Sequence, residues 1–158
     1  MSSIELFQNK TDCCGCSACY NVCPRKAISM QEDEYGYVYP VIDQDKCVGC
    51  GLCRKVCHYQ ADKELRTPIK AYAAAGKKEE FLKKAASGGM FSLVADKILE
   101  EGGVVFGVAM EYHNNTLIPK HIAVESKEEL FKLQGSKYVQ SFIGNTYAEA
   151  KKYLADGR

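Results

Sequence analysis

The chain has 158 residues, which is enough for one domain or two small ones. Its 21 lysines and arginines nearly balance 20 aspartates and glutamates, so the net charge of +1 gives no reason to expect a nucleic acid or an anionic membrane as partner. The longest apolar run, at residues 104–110, is too short to cross a bilayer, and residues 1–5 lack the basic start and apolar centre of a signal peptide.

Eight of the nine cysteines form two runs with the spacing C-x2-C-x2-C-x3-C. The runs are Cys13, Cys16, Cys19 and Cys23, followed by Pro24, and Cys47, Cys50, Cys53 and Cys57. This spacing resembles that of bacterial ferredoxins, in which thiolates hold two [4Fe–4S] clusters.

The resemblance to a duplicated ferredoxin implies which cysteines share a cluster. Three thiols of one loop cover one side of a four-iron cube, and the fourth cysteine of each half binds the cluster of the other half. One cluster is therefore assigned to Cys13, Cys16, Cys19 and Cys57, and the other to Cys47, Cys50, Cys53 and Cys23.

Two other uses of the thiols remain open at this point. Disulfides would need an oxidising compartment and would leave one of nine cysteines unpaired. Zinc also binds thiolates, but zinc ribbons use pairs of C-x2-C knuckles, whereas these thiols come in triplets. Thiol-bound clusters without an export signal predict a reducing cytoplasm, in an anaerobic or microaerobic cell.

The ninth thiol, Cys14, falls outside the spacing, and we predict that it is a small buried residue behind the loop. A redox or ligand-exchange role is the alternative. His58 stands where a proline usually follows the fourth cysteine, and we expect it to face solvent, with an influence on the pH dependence of the nearby cluster's potential as the alternative.

Between the motifs the sequence predicts a β-hairpin, with strands at residues 27–30 and 37–39 joined by a polar turn. Short helical turns are expected at residues 19–23 and 53–57. The residues expected to form an apolar jacket around the clusters are Val22, Ile28, Val41, Ile42 and Val56.

A polar stretch ending in Pro68 predicts a boundary between two domains, residues 1–65 and residues 66–158. The second part alternates strands and helices, which predicts an α/β or α+β domain with a small mixed sheet, in a chain of overall α+β class. Its predicted elements are a buried strand at 70–75, a helix at 79–84, a helix opening at 87–89 with Phe91, Val94, Ile98 and Leu99 at helical spacing, strands at 104–110 and 117–124, and helices started by capping boxes at 126–129 and 146–149.

Three further segments carry a second resemblance. The chain is similar to the beta subunit family of coenzyme F420 hydrogenase/dehydrogenase in the order of four segments. These are the double cysteine motif, residues 86–89 (ASGG), residues 107–109 (GVA) and residues 135–141 (GSKYVQS). This resemblance implies a partial flavoprotein-type domain after the ferredoxin domain. It also implies FAD as cofactor and coenzyme F420 as a possible hydride substrate.

The same resemblance implies cofactor contacts at Ser87, Gly88, Gly89, Lys137, Tyr138 and Gln140, and it identifies no catalytic residue. Free N–H groups at a helix start suit a phosphate, although glycines there also permit close packing, and Lys137 is either a phosphate ligand or a solvated lysine. The C-terminal part of the family pattern is missing. We therefore expect a truncated chain, a split gene product or a subunit completed by a partner.

These observations predict an iron–sulfur electron-transfer module of a flavin-linked oxidoreductase that passes single electrons between a flavin and a redox partner protein. By itself the chain is expected to be inactive. The alternative is a stand-alone ferredoxin-like carrier with an accessory binding domain and no catalysis of its own.

Overall fold

The cysteine-rich and cysteine-free parts of the chain form separate units, Met1–Arg66 and Thr67–Arg158, in a computed structural model that describes residues 4–60 and 66–158. Most of the predicted linker, residues 61–65, lies outside the described residues, as do residues 1–3. The two units are described separately below.

The N-terminal unit is built on a hairpin between two short helices. Helix α1 spans Ala18–Val22, strand β1 Ile28–Glu32, strand β2 Val38–Ile42 and helix α2 Leu52–Val56. The strands pair antiparallel from Ile28 opposite Ile42 to Glu32 opposite Val38. The predicted hairpin and helical turns are therefore present, and β2 continues through the residues expected to lead into the second cysteine loop.

Asp33 closes the hairpin turn. Its Oδ1 accepts hydrogen bonds from the backbone N–H groups of Tyr35 and Tyr37, both at 3.0 Å, and its Oδ2 lies 2.9 Å from Lys10 Nζ. Gly36 has a φ of +80°, which glycine adopts without steric cost. The turn therefore fixes the register of β1 and β2.

The apolar core of this unit contains Leu6, Ile28 and Cys53, with Val22 and Ile42 packed against it. Two residues of the predicted jacket are misplaced, because Val41 and Val56 are exposed. Side chains alternate across a strand, so burying Ile42 turns the neighbouring Val41 to the opposite face.

The C-terminal unit packs helices on one hairpin. Its elements are α3 (Glu79–Lys83), α4 (Met90–Glu100), β3 (Val105–His113), β4 (Thr116–Val124), a 3-10 helix (Lys127–Lys132) and α5 (Thr146–Ala155). Strands β3 and β4 pair antiparallel through a turn at Asn114 and Asn115, both with positive φ, as hairpin turns of two residues require. The predicted mixed sheet is instead this antiparallel hairpin, joined by one isolated parallel bridge between Lys120 and Phe142.

The predicted buried strand at residues 70–75 is wrong. These residues are exposed and have no strand conformation, although their small apolar side chains are typical of a buried strand. A strand needs a neighbour for its backbone groups, and no sheet of the described residues includes this segment.

Helix α4 buries only one of the four residues predicted at helical spacing, Leu99. Phe91, Val94 and Ile98 are 47%, 53% and 39% exposed, whereas Ser92, Ala95 and Leu99 are buried. Both sets have helical spacing, and the core of this unit uses Ala95 and Leu99 against Ala109, Val124, Leu130 and Leu133. The larger apolar stripe therefore faces outward.

Both predicted capping boxes are also wrong in detail. Ser126 precedes a 3-10 helix and makes no side-chain capping bond, and α5 begins at Thr146 with Asn145 as N-cap, again without such a bond. The Thr146 hydroxyl donates instead to the Ile143 carbonyl, in the preceding turn.

The two glycines before α4 have packing reasons of their own. A Cβ on Gly88 would lie 2.5 Å from the carbonyl oxygen of Ala74, and Gly89 has a φ of +73°. The Gly88 carbonyl accepts a 2.7 Å hydrogen bond from Gly76 N–H. Close backbone approach and a left-handed turn therefore account for this doublet.

The end of α5 folds back on the hairpin. Glu125 Oε1 accepts a 2.7 Å hydrogen bond from the Tyr153 hydroxyl, and Oε2 lies 2.6 Å from an Arg158 guanidinium nitrogen. The pKa of Glu125 is lowered below its usual value. The hydrogen bond from Tyr153 is the largest cause, and the hydrogen bond from Arg158 is the second.

No helix among residues 4–60 and 66–158 is long and apolar enough to span a bilayer.

Replacing Gly88 with alanine is expected to destabilise the full chain by about 1–3 kcal/mol, because the new Cβ meets backbone that must move. The control is Gly76→Ala, at the hydrogen-bonded partner, where an added Cβ meets nothing closer than 3.6 Å. Urea unfolding should show a large loss for Gly88→Ala and a change within about 1 kcal/mol for Gly76→Ala. Equal losses would contradict the packing account.

The lowered pKa of Glu125 predicts an acid-dependent contribution to stability. This contribution is present above the carboxyl's unfolded pKa and is lost as the pH falls through the lower folded pKa. NMR titration of the Glu125 carboxyl carbon should give a pKa below 4.5, and Tyr153→Phe should raise it toward that value. An unchanged pKa in Tyr153→Phe would show that the hydroxyl is not the main cause.

Candidate functional site

Two thiol-lined cavities lie in the N-terminal unit, and each draws cysteines from both motifs. Cys13, Cys16 and Cys19 line the first, together with Cys57 from the end of the second motif. Cys47, Cys50 and Cys53 line the second, together with Cys23 from the end of the first motif. The structure thus brings together the same two quartets that the ferredoxin resemblance implies.

The two cysteine loops repeat the same backbone conformation. Gly15 and Gly49 stand two residues after the first cysteine of each motif with φ of +65° and +69°. Ser17 and Gly51, two residues further on, have φ of +58° and +73° and precede α1 and α2. Alternating left-handed residues turn the chain so that successive thiols face one side.

Ser17 is the position that sequence analysis missed. It is a buried non-glycine residue in the left-handed region, which costs about 1 kcal/mol for an L-residue. Its carbonyl accepts hydrogen bonds from the backbone N–H and the side-chain amide of Asn21, both at 3.0 Å. The signal that could have found it is the glycine at the equivalent place in the second motif.

Backbone N–H groups also point at sulfur. Gly15 N–H donates to Cys13 Sγ at 3.4 Å, and Ala27 N–H donates to Cys23 Sγ at 3.3 Å. The Ala27 carbonyl accepts a 2.7 Å bond from Asp43 N–H, at the start of the second loop. Hydrogen bonds to thiolate sulfurs stabilise negative charge and are one of the factors that set cluster potentials.

Burial keeps several free thiols in their neutral form. It raises the pKa of Cys13, Cys16 and Cys53, and it raises the pKa of Cys19 to about 12. Because metals bind the thiolate, occupation of either cavity must release protons that the metal-free protein holds firmly.

A zinc ion holds four thiolates at about 2.3 Å each. In the described parts of the chain, no group of three or more His, Cys, Asp or Glu side chains is arranged to hold one metal ion. Four assigned thiols line each cavity, which matches the one thiolate that each of the four irons of a cube needs.

Two residues beside the thiol quartets were singled out from the sequence. Cys14 is exposed, so its prediction as a buried residue is wrong, and it lies among the residues lining the first cavity. His58 is exposed, as predicted, with its ring 6.1 Å from that of Tyr59.

A different kind of cavity, of about 310 Å³, lies in the C-terminal unit. Ser87, Gly88 and Gly89 line one side, and Leu133, Gln134, Gly135 and Ser136 line the other. The helix start and the beginning of residues 135–141 therefore meet at one place, and a 3.0 Å hydrogen bond from the Gln134 amide to Ser92 Oγ joins them. The volume is at the lower end of the about 300–1,000 Å³ of small-molecule sites.

The other predicted cofactor contacts lie elsewhere. Lys137 Nζ donates to the carbonyls of Gln134, Gly135 and Lys132 at 2.7, 3.2 and 3.3 Å, so it caps the 3-10 helix. Burial lowers its pKa. Tyr138 is 92% exposed, and neither it nor Gln140 lines the cavity. The lysine that does line the cavity is Lys84, which sequence analysis did not single out.

Comparison with known families separates the same two parts of the chain. A 4Fe-4S dicluster domain matches residues 12–61, and the N-terminal domain of the coenzyme F420 hydrogenase/dehydrogenase beta subunit matches residues 71–145. The first match covers both cysteine motifs, and the second covers both segments that line the 310 Å³ cavity.

Individual relatives match the cysteine-rich part. An uncharacterized ferredoxin of Methanocaldococcus jannaschii is 33% identical over 55 residues, 35% of this chain and 70% of the relative. A probable iron-sulfur subunit from the Frd operon of Proteus vulgaris is 38% identical over 56 residues, 35% of this chain and 32% of the relative. One component of the anaerobic dimethyl sulfoxide reductase of Escherichia coli is 44% identical over 48 residues, 30% of this chain and 22% of the relative.

By name, the last two relatives are components of larger assemblies, one of them a reductase, and the chain spans about a third or less of their length. The N-terminal unit is thus an iron–sulfur electron-transfer domain similar to oxidoreductase subunits. The N-terminal domain of the coenzyme F420 hydrogenase/dehydrogenase beta subunit is matched after it, at residues 71–145, so the two family matches confirm the resemblance stated from the sequence.

Proposed function

We propose that the protein is the iron–sulfur module of a flavin-linked oxidoreductase and passes single electrons between a flavin and a redox partner protein. The observation that carries the proposal is the pair of cavities, each lined by three cysteines of one motif and the fourth of the other. When bound, each [4Fe–4S] cluster would carry one electron at a time, whereas a flavin exchanges two.

Each part of the N-terminal unit has a role in this proposal. Cys13, Cys16, Cys19 and Cys57 would hold one cluster, and Cys47, Cys50, Cys53 and Cys23 the other. The apolar groups around Leu6 and Ile28 exclude water from the space between the loops and the hairpin. Thiolate ligands of this kind require a reducing environment, for which we propose the cytoplasm of an anaerobic or microaerobic cell.

For the C-terminal unit we propose contact with the anionic part of FAD or of a similar cofactor. Its cavity offers the N-terminal end of α4, an 11-residue helix, and the side chain of Lys84. Uncapped N–H groups and a cation favour phosphate. Because Gly88 and Gly89 already have packing reasons, the support comes from the cavity and not from the glycines. The rest of the flavin site would come from further chain or from a partner subunit, and coenzyme F420 would be a substrate of that assembly.

The cross-assignment of ligands is tested by paired substitutions. Cys19→Ala/Cys57→Ala removes two thiols from one cavity and leaves the other quartet complete, so anaerobically purified protein should keep one cubane signal by electron paramagnetic resonance after reduction. Cys50→Ala/Cys57→Ala removes one assigned ligand from each cavity, so neither assigned quartet stays complete and both cubane signals should be lost. If each motif instead held its own cluster, the two results would be exchanged.

The unsubstituted chain should bind about eight irons, two clusters of four, when prepared without air. A colourless protein with stoichiometric zinc would remove the electron-transfer proposal.

The cofactor contact is tested by titrating the full chain into FAD, whose own fluorescence reports binding, since the chain has no tryptophan. Lys84→Ala should weaken binding about tenfold, because a charge-assisted contact contributes about 1.5 kcal/mol or more. The control is Lys83→Ala, an adjacent lysine that pairs with Glu79 and does not line the cavity.

Equal effects of these two lysine variants would show that the cavity is not the contact. Absence of FAD binding, both without and with a partner subunit, would favour the alternative of a stand-alone ferredoxin-like carrier. The ferredoxin relative, matched over 70% of its length, is the observation that supports that alternative.

A further inference from the structure

The first cavity has five cysteines in its lining, one more than a four-iron cluster needs. The fifth is Cys14, which is exposed, whereas Cys13, Cys16, Cys19 and Cys57 are partly buried. Cys14 and Cys16 both line this cavity and are two residues apart in the same loop. A further sulfur therefore stands beside one member of the quartet, on the solvent side.

The second motif has a residue at the equivalent place in its loop. Val48 stands where Cys14 stands, directly after the first cysteine and directly before a glycine with positive φ. Val48 is also exposed, and it also lines the cavity of its own motif. Both positions therefore line a cavity from the same place in their loops, and of the two only Cys14 has a thiol.

We propose that Cys14 is a reserve ligand of the first cluster, able to replace Cys16. This inference rests on the proposed function, since it presupposes a cluster in the first cavity. In the exchange the Fe–S bond to Cys16 breaks and Cys16 takes up a proton, while Cys14 releases a proton to solvent and forms the new Fe–S bond. No electron is gained or lost.

The second cluster has no such reserve. Among the described residues that line its cavity, the cysteines are the quartet itself, Cys23, Cys47, Cys50 and Cys53. The two clusters should therefore differ in their response to loss of the corresponding ligand, Cys16 in one motif and Cys50 in the other.

The test compares four variants of the full chain, purified without air and without added thiols, by iron content and by electron paramagnetic resonance after reduction. Cys16→Ala should keep two cubane signals and its full iron content. Cys50→Ala, the matched control, should lose one cubane signal. Cys14→Ala should keep both, and Cys14→Ala/Cys16→Ala should lose one. Loss of a cubane signal in Cys16→Ala equal to that in Cys50→Ala would overturn the proposal.

A transplanted thiol provides an independent test that does not depend on the folding of Cys16→Ala. Adding Val48→Cys to Cys50→Ala should restore the lost signal, because the equivalent position then carries sulfur. Failure to restore it would contradict the argument that this place in the loop reaches a cluster. Absence of cubane signals in the unsubstituted chain would instead refute the proposed function itself.

Discussion

In each thiol-lined cavity, three cysteines of the quartet come from one cysteine loop, and the fourth, Cys57 or Cys23, comes from the end of the other motif. This exchange makes the two halves of the N-terminal unit dependent on each other. The hairpin between them sets how far the chain travels from one loop to the other, and Ala27 and Asp43 join its ends by a 2.7 Å hydrogen bond. A small unit with few buried apolar side chains gains cohesion in this way, and bound metal would add to it.

The sequence predicted the parts of the fold that depend on local chemistry. The cysteine spacing and the polar turn between the predicted strands led directly to the hairpin and the two short helices, because thiol spacing and turn residues act over a few positions. Prediction from the sequence failed where packing against other parts of the chain decides the structure. Residues 70–75 have the composition of a buried strand but no strand to pair with among the described residues, and α4 has two apolar faces, of which the packing of the unit selects the smaller.

The candidate sites follow the same division. The thiol quartets could be assigned from the duplicated motif, whereas Ser17 was missed, because a serine gives no sign of a left-handed backbone unless it is aligned with Gly51 in the second motif. In the C-terminal unit the segments of the second resemblance do meet at one cavity, but Lys137 uses its ammonium group to cap a helix end and Lys84 lines the cavity instead. Side-chain direction, which residue type does not reveal, separates these two lysines.

The exchange of the fourth cysteine between the two motifs also affects when each cavity can be completed during protein synthesis. Cys57 is needed to complete the thiol quartet of the first cavity, whose other three cysteines lie between residues 13 and 19. A ribosome therefore cannot present a finished first cavity until residue 57 has left the exit tunnel, by which time every residue of the second cavity has also been synthesised. The last thiols of the two quartets, Cys53 and Cys57, thus emerge almost together, so the order of synthesis gives neither cavity a long lead in receiving iron.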